Sequence, residues 1–165
     1  MNKNIWLWGG VAILLVLGGF FGWENYWSPE ARENSRLEKQ YQNYLNWEKE
    51  YKEALKNDIY GGQTPQETLD MFVEALKAGD TELASKYFVL EEDGKQDQKW
   101  IDLLNDLESG NNLERFSNDI EKYNDSQKTS DSYFVFLYRN DDGSLGLQLT
   151  MIFNKESGIW KIESL

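Results

Sequence analysis

The chain has no cysteine and no histidine among its 165 residues, and only two prolines. Without cysteine there is no disulfide, no thiol nucleophile and no thiolate metal ligand. Without histidine, the side chain that titrates nearest neutrality is missing, and with it the commonest general base and zinc ligand. A cysteine-free domain is stable in either redox environment, so this absence does not select a compartment. Cations are scarce as well: 17 Lys and Arg against 29 Asp and Glu give a net charge of −12. Phosphate binding needs clustered Lys and Arg, so no nucleic-acid partner is expected. No cofactor is expected either. The Gly61–Gly62 pair is followed by no lysine at phosphate-loop spacing, and reads instead as a hinge. The acidic runs Glu91–Glu92–Asp93 and Asp141–Asp142 lack the regular oxygen spacing of a calcium loop, and turns select Asp in any case.

Aromatic residues, by contrast, are dense: seven Trp, nine Tyr and eight Phe. Several flank the most distinctive segment, residues 5–23, which run from Ile5 to Trp23 without a charge. As a helix these residues span about 28 Å, close to the hydrocarbon thickness of a bilayer. Trp6 and Trp8 lie at one end and Trp23, Tyr26 and Trp27 at the other, where amphipathic rings sit at headgroup level. A cleavable signal peptide is the competing reading. Its apolar region is shorter and ends in a small-x-small site, whereas this segment ends in bulky rings. Residues 1–4 then form a short tail, 5–23 a transmembrane helix, and the lipid bilayer is the first expected partner. Lys3 and the terminal amine on the short side favour an inside N-terminus and an outside C-terminal domain, a bias weakened by Arg32, Arg36 and Lys39.

Residues 28–60 read as a helical stalk. Ser28 is a cap, Pro29 takes the first helical position and Glu30 places an acid in the first turn. Leu37, Tyr41, Tyr44, Tyr51 and Leu55, with Glu48 filling the gap, alternate at spacings of four and three, a heptad seam. Such a seam pairs two copies, helped by Gly18-x-x-x-Gly22 in the membrane, or packs on the chain's own domain. Its tyrosines and its interruption favour packing, leaving a weak homodimer as the alternative.

Residues 61–165 read as one α+β domain. Thr64-Pro65-Gln66-Glu67 is a capping box, Leu69, Phe72, Val73 and Leu76 follow at helical spacing, and Gly79 stops the helix. Asp80 caps a second helix with Leu83, Ala84, Tyr87 and Phe88 on one face. A third carries Trp100, Leu103, Leu104 and Leu107 and ends at Gly110; Leu113, Phe116, Ile120 and Tyr123 suggest a fourth. The period then changes. Residues 132–139 are apolar on both faces, as a central strand is, and Asn140–Gly143 forms a hairpin turn. Leu145, Leu147, Leu149, Met151 and Phe153 alternate with mostly polar residues, and the last strand puts Trp160 and Ile162 inward with Lys161 and Glu163 outward. Helices first and an antiparallel meander last predict helices packed on one face of a curved sheet.

Two segments carry a resemblance. Thr64-Pro-Gln-Glu-Thr-x-x-x-Phe72-x-x-Ala75-Leu76-x-x-Gly79-Asp80, followed by Ala84-x-x-Tyr87-Phe88, resembles the opening helical pair of nuclear transport factor 2-like domains. Residues 153–162, closing on Trp160-Lys161-Ile162, are similar to the final hairpin of that superfamily, especially of small exported bacterial members. The middle reads as extra helix where many members have a strand pair. The resemblance implies a cone-like domain with a pocket between helices and sheet, which Tyr87, Phe88, Trp100, Phe134, Phe136, Tyr138 and Trp160 would line. The same rings equally suit a filled core. Enzymatic members place an acid inside the cone; here no acid falls on an inward strand position, and Asp131, Tyr133 and Tyr138 are a thin basis for acid–base chemistry. The expected function is a non-enzymatic binding or interaction domain, tethered on the outer face of the cytoplasmic membrane. Its further partner is another envelope protein or a small apolar ligand. The alternatives are a scaffold subunit of an envelope or secretion assembly and a cone-type isomerase or dehydratase.

Overall fold

The computed structural model describes residues 19–20 and 29–165. The predicted span, apart from Gly19 and Phe20, lies outside the described residues, as do Trp6, Trp8, Trp23, Tyr26, Trp27, the Gly18/Gly22 pair and the Ser28 cap. No helix among the described residues is long and apolar enough to cross a membrane.

Five helices precede four strands: α1 (Pro29–Asn57), α2 (Pro65–Ala78), α3 (Thr81–Ser85), α4 (Gln98–Ser109), α5 (Leu113–Ile120), then β1 (Asp125–Ser130), β2 (Tyr133–Arg139), β3 (Leu145–Asn154) and β4 (Ile159–Ser164). The chain divides into two compact units, Met1–Trp47 and Glu48–Leu165. The seam of α1 changes environment along its length: Leu37, Tyr41 and Tyr44 are exposed, whereas Tyr51 and Leu55 in the second unit are half-buried.

The local signals of the second unit act as expected. Thr64 accepts from the Glu67 amide while the Glu67 carboxylate accepts from the Thr64 amide, so both halves of the capping box form. Gly79 closes α2 in the left-handed conformation (φ 73°), which costs a glycine nothing. Asp80 caps α3 through the Leu83 amide, and Asp97 caps α4 through the Lys99 amide. α3 is shorter than its apolar spacing suggests. It ends at Ser85, and Tyr87 and Phe88, predicted on its face, instead run beside β4: the Ile162 amide donates to the Tyr87 carbonyl and the Val89 amide to the Ile162 carbonyl. Pairing with a strand edge satisfies backbone groups that a further helical turn would have satisfied within the helix.

The sheet is an antiparallel meander in the order β1-β2-β3-β4. β2 lies inside it, as its two apolar faces predict, but its outer partner β1 is a strand to which the sequence pattern assigns no element. Asp-Ser-Gln-Lys-Thr-Ser has no apolar alternation, and all six residues are exposed, so nothing but the ladder to β2 marks it as a strand. Phe134, Phe136, Leu149, Met151, Trp160 and Ile162 face α2, α4 and α5 in one core with Phe72, Leu76, Phe88, Trp100 and Leu104. The buried stripe of β3 is shorter than predicted. Leu149 and Met151 are fully buried, while Leu145 and Leu147 are 52% and 41% exposed at the end nearest the hairpin.

Gly61 and Gly62 are clamped rather than hinged. A Cβ on Gly61 would meet the Trp160 carbonyl oxygen at 2.3 Å, and one on Gly62 would meet Glu67 Cβ at 2.3 Å. The Trp160 amide donates to the Gly62 carbonyl at 2.8 Å, and the Gly62 amide donates to the buried Thr68 hydroxyl at 2.8 Å. That hydroxyl in turn donates to the Trp160 carbonyl at 3.0 Å, so one side chain serves two buried backbone groups. Thr68→Val keeps the shape and strands both groups; it is expected to cost about 1–3 kcal/mol in urea unfolding. Thr68→Ser, which retains the hydroxyl, should lose clearly less.

Candidate functional site

The seven rings expected to line a pocket mostly pack on one another. Phe88 is fully buried, stacked on Trp100 at 4.4 Å between centroids and edge-on to Phe72 at 5.4 Å. Phe134 meets Phe136 at 4.9 Å and Trp160 at 6.3 Å, both edge-to-face. Tyr87, Trp100, Phe136 and Trp160 are buried in the same core. Tyr138 stands apart, its ring over Gly146, where an added Cβ would meet it at 2.7 Å. A tyrosine covering a strand glycine is a packing device, since it shields backbone that the glycine leaves bare.

The hollows lie at the margins of this core. One, about 500 Å³, runs between α2 and α5 and is walled by Leu69, Val73, Ile120, Tyr123 and Phe136, with Asp70, Glu74, Lys77 and Glu121 at its polar side. A second, about 410 Å³, shares Ile120 and Tyr123 and takes in Phe116, Leu147 and Leu165. Of the seven rings, Phe136 alone lines either hollow. Tyr123 stands between the two, its ring 6.1 Å from that of Phe136. Burial disfavours its phenolate and pushes its pKa from 10.0 to about 12. Burial also raises Tyr87, helped by the nearby Glu74 and Asp80 charges. The unfolded chain loses such a proton first, so stability conferred by the buried neutral phenol is present below pH 10 and lost as pH rises to about 12. In an absorbance titration of the folded chain, Tyr123→Phe should remove a phenolate step near pH 12 and flatten the alkaline loss of stability.

The third hollow, also about 410 Å³, lies on the other face of the sheet, against the last turns of α1. Its lining contains the one ion pair among the described residues in which both side chains are buried: Lys161 Nζ meets Asp58 Oδ2 at 2.7 Å, with side-chain exposures of 2% and 3%. Lys161 does point to the outer face, as the alternation predicts, but that face is covered here instead of solvated. Its ammonium also donates to the carbonyls of Tyr60 at 2.8 Å and Lys86 at 2.5 Å, joining three chain segments. Burial pulls the Lys161 pKa below the ordinary lysine value, and the Asp58 carboxylate pulls it back up. In the sequence Asp58 falls at the tail of the stalk, and the only hint of its role is an acid just past the last helical lysine.

The acidic runs behave as turns. Asp93 accepts from the Lys95 amide and ammonium, and Asp142 from the Ser144 amide and hydroxyl. Among the described residues, no group of three or more Asp, Glu, His or Cys is placed to hold a metal ion. Comparison with known proteins finds no matching family model, no matching curated protein and no matching solved structure.

Proposed function

We propose that the chain is a membrane-tethered binding module without catalytic activity, its C-terminal domain on the outer face of the cytoplasmic membrane. The observation that carries this reading is where the interior volume goes. Most of the rings that would line a catalytic cone fill the core, and the hollows lie at its margins. The buried Asp58 carboxylate is neutralised by an ammonium, an arrangement that suits a fixed structural or recognition element better than a proton carrier. The tether rests on the nineteen uncharged residues 5–23 and their flanking rings. The nuclear transport factor 2-like resemblance of residues 64–88 and 153–162 is consistent with helices first and a meander last, and that superfamily serves binding and catalysis alike.

A scaffold role in an envelope assembly is the second reading. It draws support from the exposed stripe Leu37, Tyr41 and Tyr44, since apolar rings left in water favour a protein partner. Fractionation tests the main reading. The full-length chain, its N-terminus intact by mass spectrometry, should pellet with membranes, resist high salt and release into mild detergent as a solitary species. Protease added outside intact spheroplasts should cut the domain. Recovery of the intact chain in the high-speed supernatant overturns the tether, and copurification of a multi-protein complex favours the scaffold.

A further inference from the structure

We infer that the exposed stripe on the N-terminal half of α1 docks an amphipathic helix of another protein, one whose apolar seam is flanked by lysine or arginine. This rests on the reading of the chain as a tethered binding module and names the partner for it. Every described side chain from Arg32 to Trp47 is exposed. The stretch nevertheless carries Leu37, Tyr41, Tyr44, Leu45 and Trp47, each between 37% and 57% exposed. At about 100° per residue, Leu37, Tyr41 and Tyr44 form one narrow stripe, with Leu45 and Trp47 on its two shoulders. The Tyr44 and Trp47 rings lie 5.5 Å apart, so that shoulder is continuous with the stripe. Large apolar groups at heptad spacing form the knobs and holes into which a second helix packs.

Charge decides which helix. The positions that flank the seam hold Glu33 on one side and Glu38 on the other, and Glu30 continues the seam itself toward the start of α1. The cations of the same stretch stand elsewhere: Arg32 and Lys39 on the opposite side of the helix, and Arg36 outside the flanking positions. Gln42 donates to Glu38 at 3.1 Å, which orients that carboxylate without neutralising it. A second copy fits poorly. Copies tethered through residues 5–23 run parallel, and in a parallel pair Glu33 of each faces Glu38 of the other. Like charges set against each other in this way are destabilising. An anionic lipid surface is repelled by the same acids. A helix with lysine or arginine beside its seam meets both glutamates with opposite charge. The seam is short, about two heptads, so the contact is reversible and gains from both partners sharing one membrane.

The test places the full-length chain in liposomes of neutral lipid with a lipid-anchored probe peptide of about three heptads, isoleucine at a, leucine at d, and either lysine or glutamate at every e and g. The chain has no cysteine, so Asn46→Cys, on the side of α1 away from the seam, takes a single donor dye. Energy transfer to an acceptor on the peptide then reports docking. The lysine probe should dock about tenfold more tightly than the glutamate probe, or better. Glu33→Lys combined with Glu38→Lys should reverse the preference. Tyr41→Ser combined with Tyr44→Ser should remove docking of the lysine probe. All four positions are exposed, so the circular dichroism of the chain should not change. Donor- and acceptor-labelled copies of the chain, without peptide, should show no more transfer than random neighbours. Equal docking of the two probes, no docking of either, a preference that survives the charge reversal, or docking that survives the serine pair overturns the assignment. So does strong transfer between copies, which gives the seam to a second copy, or transfer to headgroup-labelled lipid, which gives it to the bilayer. A chain that pellets with membranes yet does not select between the probes loses the seam and keeps the tether. A chain recovered in the supernatant that selects the lysine probe in solution does the reverse.

Discussion

Asp58→Asn is expected to lower the folding stability of the full chain by about 3–5 kcal/mol, the usual cost of leaving one member of a buried ion pair without its partner. Asparagine keeps an acceptor for the Tyr60 amide, so the loss isolates the charge: the Lys161 ammonium stays buried against two carbonyls with no carboxylate. Lys161→Met strands the carboxylate instead and should cost a similar amount. The double variant carries no buried charge and should be more stable than either single one. It will not fully recover, because the Tyr60 and Lys86 carbonyls lose their donor. Urea unfolding of all four chains in mild detergent gives the coupling energy directly. Additive losses would mean the pair is not the unit described here. The intact pair also has a pH signature. The folded pKa of Lys161 lies below the ordinary value of 10.5, so between the two the unfolded chain holds more protons and stability rises with pH. That slope is opposite in sign to the one Tyr123 produces above pH 10.

Phe88→Ala is the second large effect, expected at about 3–5 kcal/mol by the size of the ring removed and the cavity left behind. The ring has no solvent exposure and lies between Trp100 of α4 and Phe72 of α2. Its backbone lies beside β4, so one residue joins two helices and the sheet. Phe88→Leu should recover a good part of the loss through its volume but not the stacking on Trp100, which is worth about 0.5–1.5 kcal/mol. Near-ultraviolet circular dichroism should report the changed tryptophan environment even in the leucine variant. A midpoint shift no larger than that of an exposed substitution such as Leu145→Ala would mean that the ring does not hold the helices to the sheet.

The elements that could be read in advance were those written locally. Thr64, Pro65, Glu67 and Gly79 each act within a few residues of their own position, and α2 begins and ends where they place it. The same holds for the end of α4 at Gly110, whereas its Asp97 cap is seen only in the structure. β1 escaped because an edge strand exposed on every residue has no reason to alternate. Tyr87 and Phe88 have helical spacing from Leu83 and Ala84, yet the edge of β4 offered their backbone a partner that is far away in sequence. The Asp58–Lys161 pair is the same problem in sharper form. Parity along β4 correctly sets Lys161 on the face away from the core, but parity does not say that the end of a long helix covers that face. Of the seven candidate rings, six lie in or against the core and Tyr138 does not; whether rings enclose a space or fill it is a property of packing that no spacing encodes.

One border of the sheet is sealed, since Trp160 and Ile162 on β4 already bond to Gly62, Thr68, Tyr87 and Val89. The opposite border, β1, carries its charges outward. A molecule with a single available border cannot grow into a fibre by joining borders: the first such union uses up both and ends at two molecules. Crowding many copies into a small area therefore carries little risk of runaway stacking through this sheet, whatever density the domain reaches.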